Sequence, residues 1–256
     1  MADNKQEKEP ELLTIFHFND VYNIQPYQRE PKGGAAYFHT LLHRHKQQYQ
    51  YPLTLFSGDA FAPALLSSEF EGENMVKPLL SFGIDLACLG NHDLDYELPR
   101  VKELTEKVGF PWLLTNIDNK LTGTRLADGL ESYIIEKNGV KIGFFSLAAE
   151  EWLDTLYPYY KEICTYHDFI ETGKKMVAKL REEDHCDLVI ALTHMMKYND
   201  IKLAKEVSGI DLILGGHDHL IVKEQVGDSL IVKSGTDFQH FSILKVQRRP
   251  EGEEIK

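Results

Sequence analysis

Residues 86–96 read Leu-Ala-Cys-Leu-Gly-Asn-His-Asp-Leu-Asp-Tyr. Four apolar residues run without interruption into a glycine, and then into an amide, an imidazole and two carboxylates. A short apolar run closed by a turn residue reads as a buried strand, and a glycine at its end allows a sharp change of direction. The same grammar recurs four more times. Ile15-Phe16-His17-Phe18 leads into Asn19-Asp20, and Leu53-Thr54-Leu55-Phe56 into Ser57-Gly58-Asp59. Leu188-Val189-Ile190-Ala191-Leu192 leads into Thr193-His194, and Leu212-Ile213-Leu214 into Gly215-Gly216-His217-Asp218-His219. In open α/β sheets, ligands gather outside the carboxyl ends of the strands. Five polar strand ends are therefore expected to converge on one edge of the fold.

Outward from these runs, strands are expected at 12–18, 53–57, 86–89, 112–115, 188–193 and 212–214. Helices are expected between and after them at 34–48, 75–82, 96–108, 169–183 and 201–207. Alternation of this kind implies an α/β fold with a partly parallel sheet. Asn138-Gly139, set between apolar runs, predicts a type I′ hairpin, and Gly227-Asp228 a second hairpin of the same kind. The sheets are thus mixed. The stretch 150–167 carries Trp152, Tyr157, Tyr159, Tyr160 and Tyr166 with weak periodicity. It reads as an ordered excursion near one face, packing against the core rather than capping a cleft. Residues 241–247 are strand-like. No internal repeat is present, so the expectation is one domain over 12–256 behind a charged, disordered tail at 1–11.

The composition excludes some classes of function. The net charge of −12 argues against a nucleic-acid face, which needs clustered Lys and Arg. No apolar run approaches the roughly 18 residues of a membrane helix, and the first residues contain no apolar signal region. Cys88, Cys164 and Cys186 are odd in number and far apart, which gives no disulfide framework. A cytoplasmic location is the resulting expectation.

The five clusters supply two carboxylates, one amide and at least three imidazoles. Such a donor set suits borderline divalent ions such as Zn, Mn or Fe, and a carboxylate can bridge two ions because its oxygens are separate donors. Two other signals are weaker. His39 and His43 lie one helical turn apart but lack the glutamate of a zinc-protease helix. Gly33-Gly34 has no following Lys-Ser or Lys-Thr and reads as a helix start.

At these residues the sequence resembles the calcineurin-like metallophosphoesterases. The motifs stand here as Asn19-Asp20-Val21-Tyr22, Gly58-Asp59, Gly90-Asn91-His92-Asp93, Thr193-His194 and Gly216-His217-Asp218-His219, across about residues 12–246. The Asn-Asp opening, Gly33-Gly34-Ala35 and Asn91-His92-Asp93-Leu94-Asp95-Tyr96 look most like the branch of 5'-nucleotidases, UDP-sugar hydrolases and 2',3'-cyclic phosphodiesterases. The resemblance implies a four-layer αββα sandwich of mixed sheets with two divalent metal ions (Mn, Zn, Fe or Mg) at the carboxyl ends of the strands. It implies that Asp59 bridges the ions, that Asn91, His194 and His217 complete one site, and that Asp20 and His219 serve the other. His92 would face the substrate, with Asn91 beside it, and Asp95 would orient His92. The implied reaction is hydrolysis of a small phosphate ester, nucleotides foremost, by a hydroxide bridging the metals, with His92 assisting the leaving group.

Two departures qualify that resemblance. The family places a histidine two residues after the first aspartate, and here that residue is Tyr22. A phenol, with a reference pKa of about 10, is a poor ligand for Zn or Mg. Weakened affinity, a different metal such as iron(III) bound by a tyrosinate, and lost activity are all compatible with Tyr22. The alternatives to a small-molecule hydrolase are accordingly a catalytically impaired scaffold or a protein phosphatase on the same site. Nucleotidases of this branch also carry a C-terminal domain that holds the base, and the expectation is that this sequence lacks it.

Overall fold

Alternate residues of the first strand face different apolar layers. Leu13 and Ile15 point one way, into a cluster with Leu53, Leu55, Phe144 and Ile190. Phe16 and Phe18 point the other way, against Phe38, Leu79 and Phe82. Period-two alternation puts successive side chains on opposite faces of a sheet, so a strand apolar on both faces must be covered on both. The computed structural model describes residues 11–247 and shows how that covering is done.

In chain order the elements are β1 (Glu11–Phe18), α1 (Ala35–Lys46), β2 (Pro52–Phe56), α2 (Leu65–Phe70), α3 (Val76–Phe82), β3 (Leu86–Cys88) and α4 (Leu98–Val108). There follow β4 (Trp112–Leu113), β5 (Ile117–Asn119), β6 (Thr124–Arg125), β7 (Tyr133–Lys137) and β8 (Val140–Ala148). Then come α5 (Trp152–Thr155), α6 (Pro158–Ile163), β9 (Cys164–Tyr166), α7 (Phe169–Ala178), β10 (Leu188–His194) and α8 (Lys197–Glu206). The chain closes with β11 (Leu212–Gly215), β12 (Ile221–Val226), β13 (Ser229–Ser234) and β14 (Ser242–Gln247). One sheet has the order β14-β1-β2-β3-β4, parallel except for β14. The other has the order β12-β13-β11-β10-β8-β7, with antiparallel edges at β12 and β7. The two sheets pack face to face through the Leu13 cluster. Helices α1, α3 and α4 cover the outside of the first sheet, and α7 and α8 the outside of the second, where Val189 and Ala191 meet Met176 and Leu203. This is the four-layer αββα sandwich that the resemblance implied. No described helix is long and apolar enough to cross a membrane.

Local differences from expectation have local causes. The helix expected from residue 96 starts at Leu98, because Glu97 is extended and a proline follows in the first turn. The one expected at 201–207 begins earlier, at Lys197, whose backbone N–H donates to Asp218 at 2.7 Å. That partner is distant in sequence and leaves no local signal. The strand at 112–115 pairs only over Trp112–Leu113. Asn138 and Gly139 both have positive φ, as a type I′ turn requires, whereas at the second hairpin Gly227 does and Asp228 does not. The second turn is therefore of a different type. The aromatic excursion forms α5, α6 and β9, and β9 joins β5 and β6 in a small third sheet. Trp152 and Tyr160 are buried, and Tyr157 and Tyr159 are exposed. The tail expected at 1–11 lies outside the described residues except for Glu11, which opens β1 opposite Gln247.

One polar chain crosses the dry layer between the sheets. The Ser57 hydroxyl donates to Leu214 O at 2.7 Å, so it accepts from His17 Nε2 at 2.9 Å, and His17 Nδ1 faces the Ser234 hydroxyl at 2.9 Å. Burial, with Lys233 adding to it, pushes the His17 pKa from 6.5 down to about 3. The unfolded chain then takes up this proton near 6.5 and the folded one only near 3. Between those values the unfolded state binds more protons, so stability falls as pH falls, by at most about 1.4 kcal/mol per pH unit from this residue. Replacing His17 by Gln should flatten the pH dependence of the urea midpoint between pH 6.5 and 5. An unchanged slope would show that His17 is not the group responsible.

Candidate metal centre

The carboxyl ends of β1, β2 and β3 from one sheet, and of β10 and β11 from the other, meet at one edge. The chain turns sharply there. Asp20, Asp59, His217 and His219 all have positive φ, at 53°, 65°, 83° and 57°. Such strain in non-glycine residues concentrates at functional sites. Glycines make the close approach feasible. A Cβ on Gly90 would lie 2.0 Å from Asp59 Oδ1, and one on Gly216 would lie 2.6 Å from Ser57 O.

Asp20, Asp59 and His194 are buried, and one donor atom from each lies within 4.8 Å of the others. His194 Nδ1 is tied to the Ser57 carbonyl at 2.7 Å. Nε2 is thereby left facing Asp59 Oδ2 at 3.1 Å, fully buried and without a hydrogen-bond partner. Beside it, His217 Nδ1 and Asn91 Oδ1 are 3.0 Å apart, and the His194 and His217 rings are edge to face. Within each of these two pairs the donors stand at the spacing that one ion about 2 Å from each would require. In residue type, one carboxylate, one amide oxygen and two imidazoles suit a divalent metal. Its electrostatics agree. Burial alone would lower the His194 pKa, but Asp59 and Asp20 raise it to about 9. Burial would raise that of Asp59, but His194 and His92 hold it at about 2. The carboxylates already lean on positive charge.

The other half is arranged differently. Asp20 Oδ2 accepts from Asn19 Nδ2 at 2.5 Å and from the His217 backbone at 2.9 Å. The Tyr22 hydroxyl lies 3.0 Å from Asp20 Oδ1, 2.8 Å from Asp59 Oδ2 and 3.0 Å from His219 Nε2. Burial, Asp59 and Asp20 together drive the phenol pKa far above its usual value. His219 Nε2 lies 3.4 Å from Asp20 Oδ1, so Asp20 and His219 do come together, with Tyr22 between them.

His92 stands at the rim, partly exposed. Its backbone N–H donates to Asp59 Oδ1 at 2.8 Å, and its Nδ1 meets Asp95 Oδ2 at 2.8 Å. That hydrogen bond raises the imidazole pKa. The residues that the resemblance assigns to the site thus lie at this edge. His39 and His43 do not. Their rings meet at a tilt on one helix, and His43 bonds the Ser81 carbonyl.

Three supporting residues had no assigned role. Asp93 accepts from the backbone N–H groups of Asp59, Ala60, Phe61 and Gly90, and so fixes the Asp59 turn. Its place inside the Gly-Asn-His-Asp motif was the available signal. Asn19 grips Gly235 O and Ser234 N as well as Asp20. Lys233 is wholly buried and donates to Met195 O, Gly216 O and Asp218, with Asp200 at 3.0 Å. It pins the loop that carries His217 and His219. A lysine at the end of an apolar run was its only trace in the sequence.

Residues 13–220 match the calcineurin-like phosphoesterase family. A 5'-nucleotidase of Vibrio cholerae serotype O1 is 30% identical over 221 residues, spanning 80% of this chain and 40% of its own. The trifunctional nucleotide phosphoesterase protein YfkN of Bacillus subtilis is 27% identical over 241 residues, or 82% of this chain and 16% of that one. Among solved structures, the Haemophilus influenzae NAD nucleotidase superposes with a TM-score of 0.84 at 20% identity, covering 98% of this chain and 49% of the other. That last likeness is one of fold. The chain thus spans well under half the length of the curated relatives it matches.

Manganese or zinc at about 100 times its dissociation constant should stabilise the protein by about 2.7 kcal/mol, read as a rise in unfolding midpoint. The gain should vanish in His194→Ala. It should also vanish in Gly90→Ala, whose methyl group would displace the Asp59 carboxylate. If both variants keep the metal-induced shift, the ion binds elsewhere.

Proposed function

The chain belongs to the calcineurin-like phosphoesterase family, and from that premise we propose that it is a metal-dependent hydrolase of small phosphate esters, with nucleotides as the foremost class. The observation that carries this reading is the buried His194 Nε2 aimed at Asp59 Oδ2 at 3.1 Å, with His92 at the open rim next to Asn91 in the chain. A metal held by Asp59, Asn91, His194 and His217 would supply Lewis acidity toward a phosphoryl oxygen and lower the pKa of a water nucleophile. The two-ion arrangement expected from the motifs adds Asp20 and His219 around the shared Asp59, and depends on what Tyr22 does there.

The remaining work falls to the chain's own groups. His92, with its far nitrogen toward the open site, donates a proton to the leaving oxygen. Asp95 grips Nδ1, which fixes the ring and favours the protonated form. Asn91 positions the phosphoryl group alongside. Trp152, packed edge to face on His194, closes the back of the site to water. A cleft of about 730 Å³ opens beside Asp95 and is lined by Tyr96, Tyr157, Tyr159 and Tyr160. Of these rings Tyr157 and Tyr159 are exposed and offer faces on which a base would stack, beside Glu71, Glu97 and Arg100. One observation favours the impaired reading instead, namely the Tyr22 hydroxyl set against both carboxylates.

Phosphate release from nucleoside monophosphates, and p-nitrophenol release from mono- and bis-p-nitrophenyl phosphate, with manganese supplied, test the proposal. His92→Ala should lower turnover by roughly 10²–10⁴-fold with metal content unchanged. Metal binding without release from any ester would leave a binding protein on a hydrolase fold.

A further inference from the structure

We infer that the Tyr22 hydroxyl fills the first metal position as a hydrogen-bonded plug, so that this chain holds a single ion, at Asp59, Asn91, His194 and His217. The inference rests on the metal-dependent reading above and concerns how many ions that reading uses.

The two halves of the site differ in what their donor atoms already have. In the half built on Asp20 and His219, every atom that would face an ion is satisfied within the protein. Asp20 receives the Asn19 amide at 2.5 Å and the His217 N–H at 2.9 Å, with the Tyr22 hydroxyl at 3.0 Å. The Tyr22 oxygen lies 2.8–3.0 Å from Asp59 Oδ2, Asp20 Oδ1 and His219 Nε2. Those are ordinary hydrogen-bond lengths for a hydroxyl that gives its one proton to Asp59 and accepts from an imidazole N–H, while Asp20 Oδ1 also has the His217 N–H at 3.2 Å. An ion about 2 Å from the same three atoms would need to enter the space that hydroxyl holds. In the half built on His194 one donor is less well satisfied. The buried imidazole Nε2 stands 3.1 Å from Asp59 Oδ2 without the alignment of a hydrogen bond, a state that costs free energy unless something completes it.

Tyr22 is also held in place. Its backbone N–H donates to Asp237 Oδ1 at 3.2 Å, and Asp237 in turn donates its own N–H to Asp20 O. The ring is 8% exposed and lies against the His219 and His92 rings. The loop that carries Asp237 links the last strand of one sheet to the last strand of the other, and so anchors the backbone of Tyr22 to that junction.

The test is metal content per folded chain, by elemental analysis and native mass spectrometry. The full chain is purified without chelator and equilibrated with manganese, and separately with zinc. About one ion in the natural sequence and about two in Tyr22→His is the expected result. The single ion should be lost in His194→Ala and kept in His219→Ala. Two ions in the natural sequence would overturn the plug while leaving the hydrolase reading intact. So would a visible charge-transfer band in the protein as purified, the mark of an iron(III) tyrosinate, that disappears in Tyr22→Phe, since it would make Tyr22 a ligand. One ion in both the natural sequence and Tyr22→His would show that Tyr22 is not what excludes the second, and loss in His219→Ala alone would place the ion in the wrong half. No ion with either metal would overturn this inference and the metal-dependent reading together. If Tyr22→His fails to fold, the natural stoichiometry and the His194/His219 pair still decide.

Discussion

Two carboxylates buried side by side set the terms for everything at this edge of the protein. Asp20 and Asp59 end adjacent parallel strands, and both are essentially inaccessible to water. Burying one ionised carboxylate is costly, and burying two together is costlier unless donors and positive charge surround them. The neighbouring sequence answers that requirement. Backbone N–H groups of His92 and His217, the Asn19 amide and the Tyr22 phenol all point at the pair, and His194 stands within reach of both. What remains without an aligned hydrogen bond is His194 Nε2, 3.1 Å from Asp59 Oδ2, the nitrogen through which the proposed ion would be held.

That requirement explains the backbone. Bringing five strand ends together so that small groups converge forces four of the proposed ligands into left-handed conformations, and it demands glycine where chains nearly touch. The strain is tolerated because the supports behind it are rigid. Asp93 collects four N–H groups of the Asp59 turn, and Lys233 holds the turn of His217 and His219 from inside the second sheet. A lysine buried this deeply persists only with acceptors on all sides, and here it has two carbonyls and two carboxylates.

Much of this was legible in the chain. Apolar runs that stop abruptly at Asp, Asn or His gave the strands, their direction and the identity of the edge, because both the strand period and the ligand chemistry are local in sequence. The start of α8 and the roles of Lys233 and Asn19 were not legible, because each is settled by a partner many residues away. The aromatic stretch around Trp152 gave its order but not its small third sheet, since β5, β6 and β9 are only two or three residues long and carry no period. Tyr22 was visible as a departure from the family's histidine. Its consequence was not, because that depends on where one oxygen atom sits among three others.

The residues of the proposed site are divided between the two sheets. Asp20, Asp59, Asn91 and His92 come from one, His194, His217 and His219 from the other, and the His17 bridge crosses between them. During folding, a chain that has formed only the first sheet carries its acidic groups without the imidazoles that offset them, and one that has formed only the second carries imidazoles with no carboxylate to face. Neither half carries the full set of proposed donors. On that ligand set, uptake of an ion would report that the two sheets have docked in register.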